Sequence, residues 1–148
     1  NNYSNRELNI WAELILSILV SFYFFPKIFP LIINDQLYSE ALVDIVITSI
    51  IIAIIYSIFV FGAINTLTKR EEKDERDYIY ELKSYRISNI IFHVSIYLLI
   101  SLIVFNPISQ VRLNEFTAPM IAMILPIITL LSSIGKCLTQ LFNYRKNI

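Results

Sequence analysis

Four long apolar runs divide the chain, and polar residues gather between them. They extend from about residue 10 to 33, 42 to 67, 84 to 105 and 116 to 142. Each exceeds the roughly 20 mainly apolar residues that a helix needs to cross a hydrocarbon core. None alternates polar with apolar positions, as a lumen-lining barrel strand would. None is cut by turn residues, as a series of buried soluble strands would be. In hydrocarbon the backbone must satisfy its own hydrogen bonds, so the runs are predicted to be helices. The expected fold is all-α: a polytopic membrane protein, one domain, built as an antiparallel bundle of four transmembrane helices.

The links between runs one and two and between three and four are short, which makes sequential helices neighbours. Pro126 lies inside the fourth run and is expected to kink it, and Pro26 and Pro30 to bend the end of the first. The first run is followed by Phe25-Pro26-Lys27-Ile28-Phe29-Pro30 rather than by small residues, so no cleaved signal is expected.

Direction follows from Lys and Arg. With the N-terminus inside, the inner segments hold Arg6, Lys69, Arg70, Lys73, Arg76, Lys83, Arg86, Lys136, Arg145 and Lys146, and the outer ones only Lys27 and Arg112. Both termini are therefore expected in the cytoplasm, in a prokaryotic inner membrane. Trp11, Tyr38, Tyr85 and Tyr144 fall near span ends, where aromatic belts belong.

Composition narrows the function classes. The chain is 56% hydrophobic and 16% charged, with 12 basic and 12 acidic residues. An average soluble domain is about 25% charged. Disorder, a disulfide scaffold and a basic nucleic-acid-binding module are excluded. Cys137 is the only cysteine and His93 the only histidine, so cysteine-based or paired-histidine metal sites are excluded and no metal or cofactor is expected. Cys137 reads as a packing residue, with palmitoylation as the alternative.

The densest charge lies between spans two and three, at about residues 68 to 83. Thr68 with Glu71 has the spacing of a capping box, and Arg70–Asp74, Glu72–Arg76 and Lys73–Asp77 are i,i+4 pairs. A helical extension is predicted, with Tyr78, Ile79, Leu82 and Tyr85 lying along the membrane surface or a partner. Asp74, Glu75, Arg76 and Asp77 are the candidate interaction site, for a cytosolic partner or between copies in a homo-oligomer; a solvated, topology-setting loop is the plainer reading. A Ca²⁺ site in these carboxylates lacks the turn glycine and is balanced by basic neighbours.

Lys73-Asp74-Glu75-Arg76-Asp77, with Ile79, Glu81-Leu82-Lys83-Ser84 and Arg86 after it, resembles the loop motif of small, uncharacterised prokaryotic four-span membrane proteins. Those carry an Asp-Glu-Arg-Asp/Glu string between spans two and three. The resemblance implies the four-span topology and an important loop, and implies no catalytic residues.

Ionisable groups inside spans are costly and mark candidate sites. Asn9, Glu13, Ser17 and Ser21 share one face of span one; Ser132, Lys136 and Gln140 share one of span four; Asn89 and His93 are four apart in span three. The expectation is a polar cluster in the cytoplasmic half, Glu13 paired with Lys136 and bonded by Asn89 or His93; snorkelling and hydrogen bonds within each helix are the plainer reading. At the outer end Lys27 and Asp44 are expected to form an ion pair. Ser49, Ala53 and Ser57 form a small-residue stripe that packs the monomer or seams a dimer.

Three function classes result: a non-enzymatic accessory or interaction subunit using the charged loop, a small homo-oligomeric ion or solute transporter using the cluster around Glu13, and an intramembrane enzyme. Ala12-Glu13 resembles the span-one Glu of small multidrug transporters, but those are Gly-rich and often insert both ways, while this chain has 2 Gly and a ten-to-two charge bias. No motif supplies a nucleophile with its base, which disfavours the enzyme. The lipid bilayer and a protein partner, another copy or another protein, are the expected partners.

Overall fold

The computed structural model describes residues 4–34, 40–68, 72–105 and 118–146. They form four long helices: α1 (Asn5–Ile33), α2 (Glu40–Leu67), α3 (Glu75–Phe105) and α4 (Ala118–Lys146). All four contain stretches long and apolar enough to cross a membrane. Tyr38, Lys69, Arg70, Glu71 and Arg112, and with them the Arg70–Asp74 pair, lie outside the described residues.

Local chemistry sets the helix starts. Ser4 caps α1, its Oγ accepting from the Glu7 N–H at 3.2 Å. α3 begins one residue after Asp74. The Asp74 carboxylate accepts from the Asp77 N–H at 2.9 Å, and the Asp77 carboxylate accepts from the Asp74 N–H at 3.0 Å. This is a reciprocal capping box with aspartate at both positions. The box expected at Thr68 needs Glu71, which lies outside the described residues; Thr68 itself has extended backbone and ends α2, its hydroxyl donating back to the Ile64 carbonyl at 2.5 Å. The described helical extension belongs to α3 and starts at Glu75.

α1 continues through Pro26 and Pro30, and α4 through Pro126. α2 is interrupted by a wide π turn at Ser57–Phe61. Ser57 Oγ takes the Ala53 carbonyl at 2.7 Å just before it, a bond that competes with the helix ladder.

The helices make a row rather than a closed ring. α1 packs on α2 and on α4, and α4 packs on α3; among the described residues the backbone of α2 comes close only to α1 and that of α3 only to α4, with side chains reaching further. Two apolar clusters hold the row. Phe24, Ile28 and Leu31 of α1 meet Ile45 of α2 and Met123 of α4 toward one end. Ile10 and Leu14 of α1 meet Cys137 and Leu141 of α4 toward the other. Cys137 is fully buried there, which fits packing and leaves no room for an acyl chain. Ser49 is buried, and Ala53 and Ser57 are half-buried, on the helix whose only packed neighbour among the described residues is α1. That stripe serves the monomer.

Lipid offers helices no hydrophobic drive to associate, so close approach and hydrogen bonds carry the packing. The α3–α4 seam has both. Ser84 is fully buried, Ser88 and Ser132 hydroxyls lie 2.6 Å apart, and Ser132 Oγ also donates to the Ser88 carbonyl at 3.0 Å. A Cβ added to Gly135 would lie 2.5 Å from Ile91 Cδ1, so any larger residue there requires that side-chain end to move.

Candidate functional site

One end of the molecule gathers Asn5 and Arg6 of α1, Thr68 at the end of α2, the start of α3 and the last turn of α4. Asp77 is its hub. Its carboxylate pairs with Arg6 and accepts from the Tyr144 hydroxyl at 2.5 Å, in addition to capping its own helix. Three helices are thereby tied through one side chain whose relative exposure is 16%. Asn5 donates to Thr68, which ties in α2. Tyr80 packs edge-to-face on Tyr144 at 5.2 Å between ring centres.

Asp74, Glu75 and Arg76 stay exposed. Arg76 bonds Asp74 at 3.2 Å, and Lys73 reaches two turns along to Glu81 at 2.6 Å. The i,i+4 pairs Glu72–Arg76 and Lys73–Asp77 are not formed, because residues 72–74 precede the helix and lack helical spacing. Tyr78, Ile79, Leu82 and Tyr85 are all exposed.

Behind Asp77 a polar cleft of about 230 Å³ runs in between the helices. Arg6, Asn9, Glu13, Lys73, Asp77 and Glu81 line it with Tyr85, Lys136, Gln140 and Tyr144; Ile10 and Phe61, the last residue of the π turn, complete the wall. At its base Lys136 Nζ donates to Glu13 Oε1 at 2.6 Å, with side-chain exposures of 18% and 35%, and lies 5.3 Å from the Tyr85 ring centre. The cations are matched by carboxylates: Arg6–Asp77, Lys73–Glu81 and Lys136–Glu13. Gln140 and the Tyr85 hydroxyl make no hydrogen bond to the described protein groups, so they are available to a solute. One turn deeper Ser17 and Ser133 hydroxyls meet at 3.1 Å.

The expected polar cluster therefore changes membership. Glu13 and Lys136 meet, but Asn89 and His93 do not join them. His93 Nδ1 donates to the Asn89 carbonyl at 2.8 Å on an exposed face. The cause is azimuth: Ser84 and Ser88 turn toward α4, and Asn89 and His93 follow at angles that carry them outward. Arg6, Tyr85 and Tyr144 take the places expected for them. An Arg ahead of span one and tyrosines at the ends of spans three and four carry no local signal for such contacts.

Lys27 and Asp44 do not pair. Lys27 Nζ donates to the Tyr23 hydroxyl at 3.2 Å and lies 4.4 Å over that ring. Tyr23 is one turn away on the same helix, and its hydroxyl also bonds Thr48 of α2. Among the described residues no group of three His, Cys, Asp or Glu side chains converges as a metal site would require. The contacts that the sequence did not point to are those of Arg6 and Tyr144 with Asp77, and the α3–α4 seam of Ser84, Ser88, Ser132 and Gly135. The seam had a signal, small residues spaced four and three apart. The Asp77 contacts had none, because they join segments 67 or more residues apart. No family model, curated protein or solved structure matches the chain.

Proposed function

We propose that the protein is a multi-pass protein of a prokaryotic inner membrane, an antiparallel four-helix arrangement with both termini in the cytoplasm. In this reading it is a non-enzymatic accessory subunit that presents its charged end to a protein partner. The observation that carries the reading is the threefold use of the Asp77 carboxylate: it caps α3, pairs with Arg6 and accepts from Tyr144. A merely solvated loop has no need of such a joint. The joint holds the first two turns of α3 rigid, with Glu75, Arg76, Tyr78 and Leu82 exposed on them. Preorganised exposed groups of mixed charge and apolar character lose little entropy on docking. The resemblance of residues 73 to 86 to the loop of small four-span proteins supports the same topology.

The test is co-purification in mild detergent, comparing wild type with a Glu75→Lys/Arg76→Glu variant. Neither side chain touches Asp77, and Arg76 meets the capping Asp74 only in an exposed pair, so the fold is retained. Loss of a partner from the variant supports docking at this end, and identical partner sets refute it.

A second reading has its own observation. The cleft is lined from Arg6 and Asp77 at the charged end to the Glu13–Lys136 pair, which suits a solute site. Cation or solute flux from liposomes that disappears in Glu13→Gln would favour transport over docking.

A further inference from the structure

The outward side of α3 carries polar groups that the charged end does not use. Asn89, His93 and Tyr97 recur at spacing four and are all exposed. At 100° per residue they lie roughly 160° around the helix from Ser84, Ser88, Ile91 and Leu99, the side turned to α4. α3 stands at the edge of the row: among the described residues its backbone packs on α4, and it meets α1 through Asp77 and Arg6 at its start. The stripe therefore faces away from the rest of the described chain.

Its position makes it expensive. His93 is seven residues past Arg86, about 10 Å further along the helix, and Tyr97 about 16 Å. Polar groups left unbonded in hydrocarbon cost several kcal/mol each. His93 satisfies one nitrogen within its own helix. The Asn89 carbonyl can only accept, so His93 Nδ1 donates to it, and Nε2 is left pointing outward. Among the described residues His93 Nε2, the Asn89 carboxamide and the Tyr97 hydroxyl have no hydrogen-bond partner.

We infer that this stripe is the seam of a homodimer, with α3 of a second copy lying alongside it. The chemistry selects a second copy because the stripe is complementary to itself. His93 Nε2 needs a partner, and the Asn89 carboxamide of the other copy, which both donates and accepts, is one. A two-fold axis along the membrane normal makes that bond twice, with the helices parallel. Beyond Tyr97 the stripe continues with Ile100 and Val104, both exposed, at the three-and-four spacing of a helix-pair seam. The inference rests on α3 crossing a bilayer, and is independent of docking at the charged end.

The experiment counts subunits of the full, fluorescently labelled chain in lipid vesicles as protein is diluted. Wild type is expected to remain paired where Asn89→Leu/His93→Leu is single, a shift of roughly tenfold in dissociation constant. These substitutions suit lipid, so the fold is retained. A second arm places one cysteine in a Cys137→Ala background. Ile100→Cys is expected to form an oxidised dimer, and Ile58→Cys, on the exposed face of α2, is not. Single wild-type subunits, pairing indifferent to the double substitution, or cross-linking through position 58 instead of 100 would each overturn the seam. Reaction of Ile100→Cys with a membrane-impermeant maleimide would instead overturn the membrane placement of α3. Failure of the Glu75/Arg76 co-purification test leaves all these results unchanged.

Discussion

Tyr144 and Asp77, 67 residues apart, are joined by a 2.5 Å hydrogen bond from phenol to carboxylate. The bond ties the last turn of α4 to the first turn of α3, at the point where Arg6 of α1 also arrives. A short charged motif that looks like a surface loop is thus the joint on which three helices meet. Its two aspartates divide the work: Asp74 caps α3 and stays exposed, while Asp77 returns the cap and faces inward.

Asp77→Ala is therefore expected to be the most damaging substitution in the motif. It removes half of a capping box, worth roughly 1 kcal/mol, and the acceptor of two charge-assisted bonds, each worth roughly 1.5–3 kcal/mol. Allowing for partial exposure and non-additivity, a loss of about 3 kcal/mol is expected. Tyr144→Phe should cost about 1.5 kcal/mol, and Glu75→Ala close to nothing. Thermal unfolding in one detergent checks the order. Equal effects at positions 75 and 77 would mean that the joint does not hold the helices together.

How far these features could be read from residues alone varies with what decides them. The spans are one-dimensional: length and apolarity suffice, and the four helices cover the predicted runs wherever the chain is described. The start of α3 is not. Asp74 and Asp77 have the spacing of a capping box, but the contacts from Arg6 and Tyr144 that fix Asp77 come from distant segments. The depth of Asn89 and His93 along α3 was legible, but their direction depends on which side of α3 meets α4. The facing small residues Ser84, Ser88, Ser132 and Gly135 settle that side. Lys27–Asp44 failed for a related reason: nearness of two helix ends does not outweigh Tyr23, a partner one turn away.

Gly135 gives a graded test of the α3–α4 seam. In Gly135→Ala the new Cβ meets Ile91 Cδ1, the movable end of a side chain, and alanine gains about 1 kcal/mol in helix propensity. A net change within about 1 kcal/mol is expected. Gly135→Leu has no such escape and should lose roughly 1–3 kcal/mol by overpacking. The efficiency of a disulfide between Ser88→Cys and Ser132→Cys in a Cys137→Ala background reports the seam directly. It should fall in the leucine variant and persist in the alanine variant.

Orientation is checked by thiol accessibility in intact cells, again in a Cys137→Ala background. Glu72→Cys is expected to react with an impermeant maleimide only after the membrane is opened, and Lys27→Cys before. The reverse order would invert the topology while leaving every helix contact in place.

Glu13 and Lys136 separate a structural pair from a working one. Removing one partner strands a charge between the helices, and a fully buried pair loses roughly 3–5 kcal/mol on such a change. Exposures of 18% and 35% and the open cleft reduce that to roughly 1–2 kcal/mol for Lys136→Met or Glu13→Gln alone. The double variant Glu13→Gln/Lys136→Met leaves no charge unpaired, and should recover most of the loss in thermal unfolding. If the pair only holds α1 to α4, this variant also restores partner co-purification to the wild-type level. If a solute moves through the cleft, the double variant is stable and inactive in flux, because the carboxylate is still missing. Stability and flux that recover together would assign the pair to packing, and stability without flux would assign it to transport.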